Sequence, residues 1–157
     1  MNRFAERSTR TKAHVAVIVD TGILFALADR RDFGHKAVQK FLAENPDTLI
    51  VPGPVVWETC TSLLEYLGPD AELGFLRSLA NRELLVEQPT DTDLVRVIEI
   101  LKQYRDARFG VVDASVMAIA ERLQIQVILT LDRRDFTIYR PKHCAAFRLF
   151  PELPHAG

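Results

Sequence analysis

Two cysteines in 157 residues are too few for a disulfide framework, and positions 60 and 144 lie too far apart for a zinc motif. Cys60 and Cys144 are therefore expected to be ordinary thiols in a reducing compartment. Nowhere does the chain hold the ~18 consecutive apolar residues that a membrane-spanning helix needs. A charge excess is missing as well. The formal net charge of −1 excludes a basic nucleic-acid binder of the histone type, but not an enzyme whose acidic centre offsets basic surroundings. The opening "MNRFAERSTRTKAH" carries Arg3, Arg7, Arg10 and Lys12 without the apolar core of a signal peptide. It reads as a tail, and the protein as cytoplasmic with no membrane partner. Periodic repeats and low-complexity segments are absent too.

What the chain does have is an alternation. Short Val/Ile/Leu-rich runs read as strands at 15–19, 48–52, 84–87 and 127–130. Between them lie helical patterns at 21–29, 35–45, 55–67, 70–81, 93–104 and 113–123, and a last pair of apolar segments follows around Ile138 and "AAFRLF". In the third helix Val56, Cys60, Leu63, Leu64 and Leu67 form the apolar stripe, and Pro54 suits its first turn. Thr90 with Asp93 three residues on forms a capping-box start. Strands separated by helices predict a three-layer α/β/α domain with a central parallel sheet. We place that domain at 14–152, with tails at 1–13 and 153–157. In such sheets the site lies beyond the carboxyl ends of the strands.

Two carboxylates sit at those ends. Asp20 ends "VAVIVD" and Asp132 ends "VILTLD", the same arrangement twice. Either alone reads as a turn or helix cap; the pair is as well explained by a shared site. Asp113 starts "DASVMAIAERL" in line with the stripe of Val116, Met117, Ala120 and Leu123, so it should point toward the protein body. A capping role explains that position equally well. Glu58 shares the polar side of its helix with Thr61, Ser62 and Glu65, and periodicity alone makes it a solvated glutamate.

The order "VIVDTG", "VPGPVVWETCTSLL", "GVVDASVMAIAERL", "ILTLDRRDF" resembles the PIN-domain nucleases, most of all the VapC toxins of bacterial toxin–antitoxin pairs. The likeness runs from Val15 to about Leu149 and implies a PIN-like fold. It matches Asp20, Glu58, Asp113 and Asp132 to the family's four acids, and Thr21 and Thr130 to hydroxyls that support them. Gly22 departs from the Ser or Asn of many relatives, a change expected to be tolerated. The resemblance further implies RNA as substrate, a cognate antitoxin and a homodimer.

Four carboxylates in one pocket repel one another unless a cation is present. An all-oxygen donor set favours Mg²⁺ or Mn²⁺ over zinc. Asp20 and Asp113 are then the expected direct ligands. Asp132 would complete the site or hold a water, and Glu58 would orient that water or bind a second ion. Such an ion activates water, orients a phosphodiester and stabilises the leaving oxygen. Arg30 and Arg31 lie between Asp29 and Asp32, and Arg133 and Arg134 between Asp132 and Asp135. Both pairs follow acid-bearing strands and are expected phosphate contacts. His35, at a helix start, faces the site or is structural.

The expectation is thus a Mg/Mn-dependent endoribonuclease. A haloacid-dehalogenase-like phosphatase wants a second Asp two residues after the first, where this chain has Gly22. A response-regulator receiver wants paired acids that "AHVAVIVD" does not offer. A catalytically silent PIN-like binding module would have lost an acid, and all four are present.

Overall fold

A computed structural model describes residues 15–45 and 47–153. The expected segment 1–13 lies outside the described residues, as does all of 153–157 except Leu153. Strand β1 (Ala16–Val19) forms the middle of a five-stranded sheet. On one side lie β2 (Thr48–Pro52) and β3 (Leu85–Glu87), on the other β4 (Val127–Leu129) and β5 (Arg148–Phe150), all parallel. Ile18 stands opposite Ile50 of β2 and Ile128 of β4. A strand covered on both faces has no polar side, which is why Val17, Ile18 and Val19 run on without alternation and are all buried.

Among the described residues, seven α-helices make the connections. α1 (Thr21–Ala28) and α2 (His35–Glu44) join β1 to β2, and α3 (Gly53–Leu67) and α4 (Pro69–Ala80) join β2 to β3. α5 (Asp91–Gln103) and α6 (Val111–Leu123) carry the chain from β3 to β4, and the short α7 (Arg134–Ile138) leads to β5. Right-handed crossovers place α1 to α4 on one face of the sheet and α5 to α7 on the other. The three-layer α/β architecture is therefore as expected.

The order β3-β2-β1-β4-β5 decides where a site can form. The chain leaves β1 toward β2, then returns from β3 to β4 on the far side of β1. At the carboxyl ends of β1 and β4 the two connections diverge, the switch point at which such sheets place their sites. Asp20 follows β1 and Thr130 to Asp132 follow β4.

Two salt-bridged clamps fix the layer that carries α6. Thr90 and Asp93 form the expected capping box, with Thr90 Oγ1 accepting from the Asp93 amide at 3.1 Å and Asp93 Oδ2 from the Thr90 amide at 2.9 Å. Arg122 Nε then donates to the same Asp93 carboxylate at 2.9 Å, tying α5 to the end of α6. In the second clamp the buried Glu121 accepts from Arg96 Nε at 2.8 Å, from the Tyr139 hydroxyl and from the Lys142 amide at 3.0 Å. Tyr139 also closes α7, its amide donating to the Asp135 carbonyl at 3.0 Å. α6 and α7 are thus locked together.

Three local expectations are corrected. The buried face of α3 is Val55, Val56, Thr59, Cys60 and Leu63, while Leu64 is exposed and Leu67 half-buried. The helix begins at Gly53, and its packing against both the sheet and α4 turns the stripe from the one that periodicity suggested. Helix α6 is capped by Gly110 and starts at Val111, so Asp113 sits inside its first turn and is not a cap. The segment near Ile138 is the helix α7, too short for a 3.6-residue period to register. Both cysteines are free.

Candidate metal centre at the carboxyl edge of the sheet

Asp20 caps a helix and stands at the candidate site at once. Its Oδ1 accepts from the Thr21 amide at 2.9 Å, capping α1, while its Oδ2 lies 3.0 Å from the Thr130 hydroxyl. Its own amide donates to the Leu129 carbonyl at 2.9 Å, continuing the β1–β4 ladder. The carboxylate is therefore fixed by both strands of the switch point. Thr130 is wholly buried, and its Oγ1 also lies 2.8 Å from the Asp132 carbonyl oxygen, which holds the turn after β4 against Asp20. Thr21 Oγ1, next to Asp20, is buried with no hydrogen-bond partner among the described residues.

Burial raises the Asp20 carboxyl to about 6, against the hydrogen bonds from Thr21 and Thr130, and repulsion from Glu58 and Asp132 adds to the rise. Asp113, half-buried in the first turn of α6, is pushed up to about 8 by burial first, then by Asp20, Asp135 and Asp132. Glu58 and Asp132 are exposed at the rim. Asp20, which follows β1, is thus within electrostatic reach of Glu58 on α3, Asp113 on α6 and Asp132 after β4. Among the described residues, no three His, Cys, Asp or Glu side chains are gathered closely enough to hold a metal ion by themselves.

A PIN domain model matches residues 17–140, a span that contains every one of these acids. The chain belongs to the PIN-domain family. It is 33% identical over 135 residues to Ribonuclease VapC26 of Mycobacterium tuberculosis, covering 86% of this chain and 100% of that protein. Within the family it therefore stands with the VapC-type ribonuclease toxins. Two solved structures share the fold. Mycobacterium tuberculosis VapC20, described as a sarcin–ricin loop cleaving toxin, superposes with a TM-score of 0.70 at 23% identity, over 74% of this chain and 90% of that one. Rickettsia felis VapBC2, bound to a DNA fragment from its promoter, gives 0.65 at 13% identity, over 87% of this chain and 100% of that one.

Sequence reasoning missed a fifth acid of this PIN domain. Asp135, in the first turn of α7, stands near enough to Asp113 to raise its carboxyl. Its signal was present in "TLDRRDF", where it was read only as a flank of the arginine pair. Recognising α7 as a helix would have aimed its first turn at α6.

The arginines divide. Arg30 and Arg31 are exposed on the turn between α1 and α2, Arg31 Nε pairing with Asp29 at 3.1 Å. Arg133 donates to the Pro151 carbonyl, and Arg134 pairs with Asp135 and donates to the Ala107 carbonyl at 2.9 Å. Both of these are engaged in holding loops. His35 is buried with Nδ1 2.6 Å from the Ala26 carbonyl, an atom that can only accept, so Nδ1 carries the proton and the ring ties α2 to α1. A side chain at Gly22 would meet Leu131 at 3.8 Å, an ordinary contact, so glycine is not demanded there by crowding.

Proposed function

We propose that this VapC-type PIN domain is a divalent-cation-dependent endoribonuclease and the toxin of a toxin–antitoxin pair. The observation that carries the reading is the convergence of Asp20 and Asp113, distant in sequence, at the β1/β4 switch point. Each is held above the usual carboxylate range by burial and by the other acids. An all-oxygen donor set with excess like charge fits a hard divalent cation, Mg²⁺ or Mn²⁺, and the unpartnered Thr21 hydroxyl adds an oxygen to it. Asp20 and Asp113 would hold the ion, supported by Asp135 and Asp132. Such an ion, when bound, makes water nucleophilic at neutral pH and offsets charge on the phosphodiester.

The chain's own residues do the rest. Thr130 and the Thr21 amide keep the Asp20 carboxylate in one orientation, so little reorganisation is needed as substrate arrives. Asp132 and Glu58, exposed at the rim, can orient an attacking water and accept its proton. Arg30 and Arg31 on the adjoining turn contact backbone phosphates. Ribonuclease relatives support RNA as the substrate. The antitoxin and a second copy of the chain have a docking surface in the α3–α4 layer, where Trp57, Leu64, Tyr66, Leu73 and Leu76 are exposed.

The test is cleavage of RNA by the wild type and by Asp113→Asn. The substitution should abolish cleavage while leaving the circular dichroism spectrum intact, and undiminished cleavage would remove Asp113 from the site. EDTA should stop the wild-type reaction and added Mn²⁺ restore it.

A further inference from the structure

The turn between α1 and α2 ends in an aromatic ring that the fold does not use. Phe33 is 79% exposed, more than any other large apolar residue described. Yet its backbone is tightly held. Asp29 Oδ1 accepts from the Arg31 amide at 3.0 Å and Asp32 Oδ1 from the Gly34 amide at 2.8 Å. The Asp32 amide donates to the Asp29 carbonyl at 3.0 Å, and the His35 amide to the Asp32 carbonyl at 3.1 Å. Beneath the turn, His35 is anchored to Ala26.

This rigid turn is docked on the catalytic edge. Gly34 follows Phe33 and presses on Leu131 so closely that a methyl group there would lie 2.5 Å from Leu131 Cδ1. Leu131 in turn precedes Asp132 and neighbours Gly22, two residues past Asp20. One side chain thus links the aromatic turn to the ends of β1 and β4. Arg30 and Arg31 emerge from the same turn.

We propose that Phe33 is a stacking platform for one unpaired base of the RNA strand, with Arg30 and Arg31 gripping the phosphates beside it. A flat, exposed ring on a held backbone next to guanidinium groups is the combination by which proteins hold single-stranded nucleic acid. Every base has a π-face, so the platform tolerates any sequence but rejects a base locked in a duplex. It makes the substrate a single-stranded or looped RNA at the nucleotide it holds. The inference rests on the ribonuclease reading above.

The test uses the full chain, a single-stranded RNA oligonucleotide and fluorescence anisotropy on an Asp113→Asn background, where the strand is not cut. Phe33→Ala should weaken binding roughly tenfold, the order expected for one lost base stack. Phe33→Trp should bind as well as the parent, whereas Phe33→Leu, apolar but without a π-face, should lose most of the affinity. An oligonucleotide lacking the contacted base should bind as weakly as Phe33→Ala, and the two losses should not add. The exposed position leaves melting temperature unchanged in all three variants. Equal binding by Phe33→Ala, or by Phe33→Leu and Phe33→Trp alike, overturns the proposal. A wild type that cleaves RNA with Mn²⁺ while Phe33→Ala keeps the same affinity and KM overturns the platform alone. A wild type that neither binds nor cleaves RNA overturns the ribonuclease reading with it.

Discussion

Residues 29–33 and 132–136 are both Asp-Arg-Arg-Asp-Phe, and the fold sends their second aspartates and their phenylalanines in opposite directions. In the second copy Phe136 is 2% exposed and meets Phe147 edge-on at 6.3 Å. Its arginines bind loop carbonyls, and Asp135 reaches Asp113. In the first copy Phe33 faces solvent, Arg30 is exposed, Arg31 pairs with Asp29 at the surface, and the second aspartate, Asp32, caps the turn through the Gly34 amide. The letters after each copy explain the split. Gly34 and His35 end the first copy and start a new helix, so the pentapeptide is a bridging turn. Thr137, Ile138 and Tyr139 extend the second into α7, whose far end the Glu121 clamp pulls inward. Phe136 and Asp135 of the second copy therefore turn inward beneath the candidate site as its floor, while Phe33, Arg30 and Arg31 of the first stand at its rim.

The largest contrast should be in stability. Phe136→Ala should cost about 3–5 kcal/mol in urea unfolding, while Phe33→Ala should change it by no more than about 0.5 kcal/mol. Equal losses would erase the distinction between floor and rim. The next contrast is between the two second aspartates. Asp135→Asn should lower Mn²⁺-dependent cleavage roughly 10- to 100-fold, as expected for a group that orients a metal ligand, and Asp32→Asn should do so far less.

The floor's charge sets a pH dependence that the rim does not share. Asp20 and Asp113, at about 6 and about 8 in the folded chain, lie above the ~3.9 of an unfolded aspartate. The native state thus binds more protons than the unfolded one between those values. Stability from this source is full below about pH 4 and is lost as pH rises through about 8. In EDTA the melting temperature should fall from about pH 5 to about pH 8.5, and Mg²⁺ or Mn²⁺ should flatten the fall by binding the native state. Asp113→Asn should remove much of the slope. Smallest of all, Arg31→Ala and Arg134→Ala should each leave the melting temperature nearly unchanged, since both are exposed pairs. Arg31→Ala alone should reduce the salt slope of RNA binding, by roughly 0.7 for one phosphate contact.

Most of the fold was legible because its signals are local. Continuous Val/Ile runs marked β1, β2 and β4, and the Thr90–Asp93 box marked the start of α5 within two residues. The short α7 was not legible, since five residues give no period, and Asp135 was lost with it. Asp20 and Asp132 were visible as matched strand ends. The sheet order, which no local pattern encodes, is what makes β1 and β4 neighbours and joins them at one switch point. Glu58 could not be separated from Glu65 by periodicity and came only from the family likeness. The fate of the two arginine pairs was equally hidden, because identical letters read alike until their neighbours are folded.

The central claim is that the acids gathered between β1 and β4 bind a divalent cation and through it cut RNA. Mn²⁺ titration of RNA cleavage, run on the wild type and on Asp20→Asn with folding checked by circular dichroism, tests it most directly. The account predicts saturable, EDTA-reversible cleavage by the wild type and none by the folded variant at any Mn²⁺ concentration. Cleavage by Asp20→Asn at the wild-type rate, or wild-type cleavage undiminished in EDTA, would contradict it.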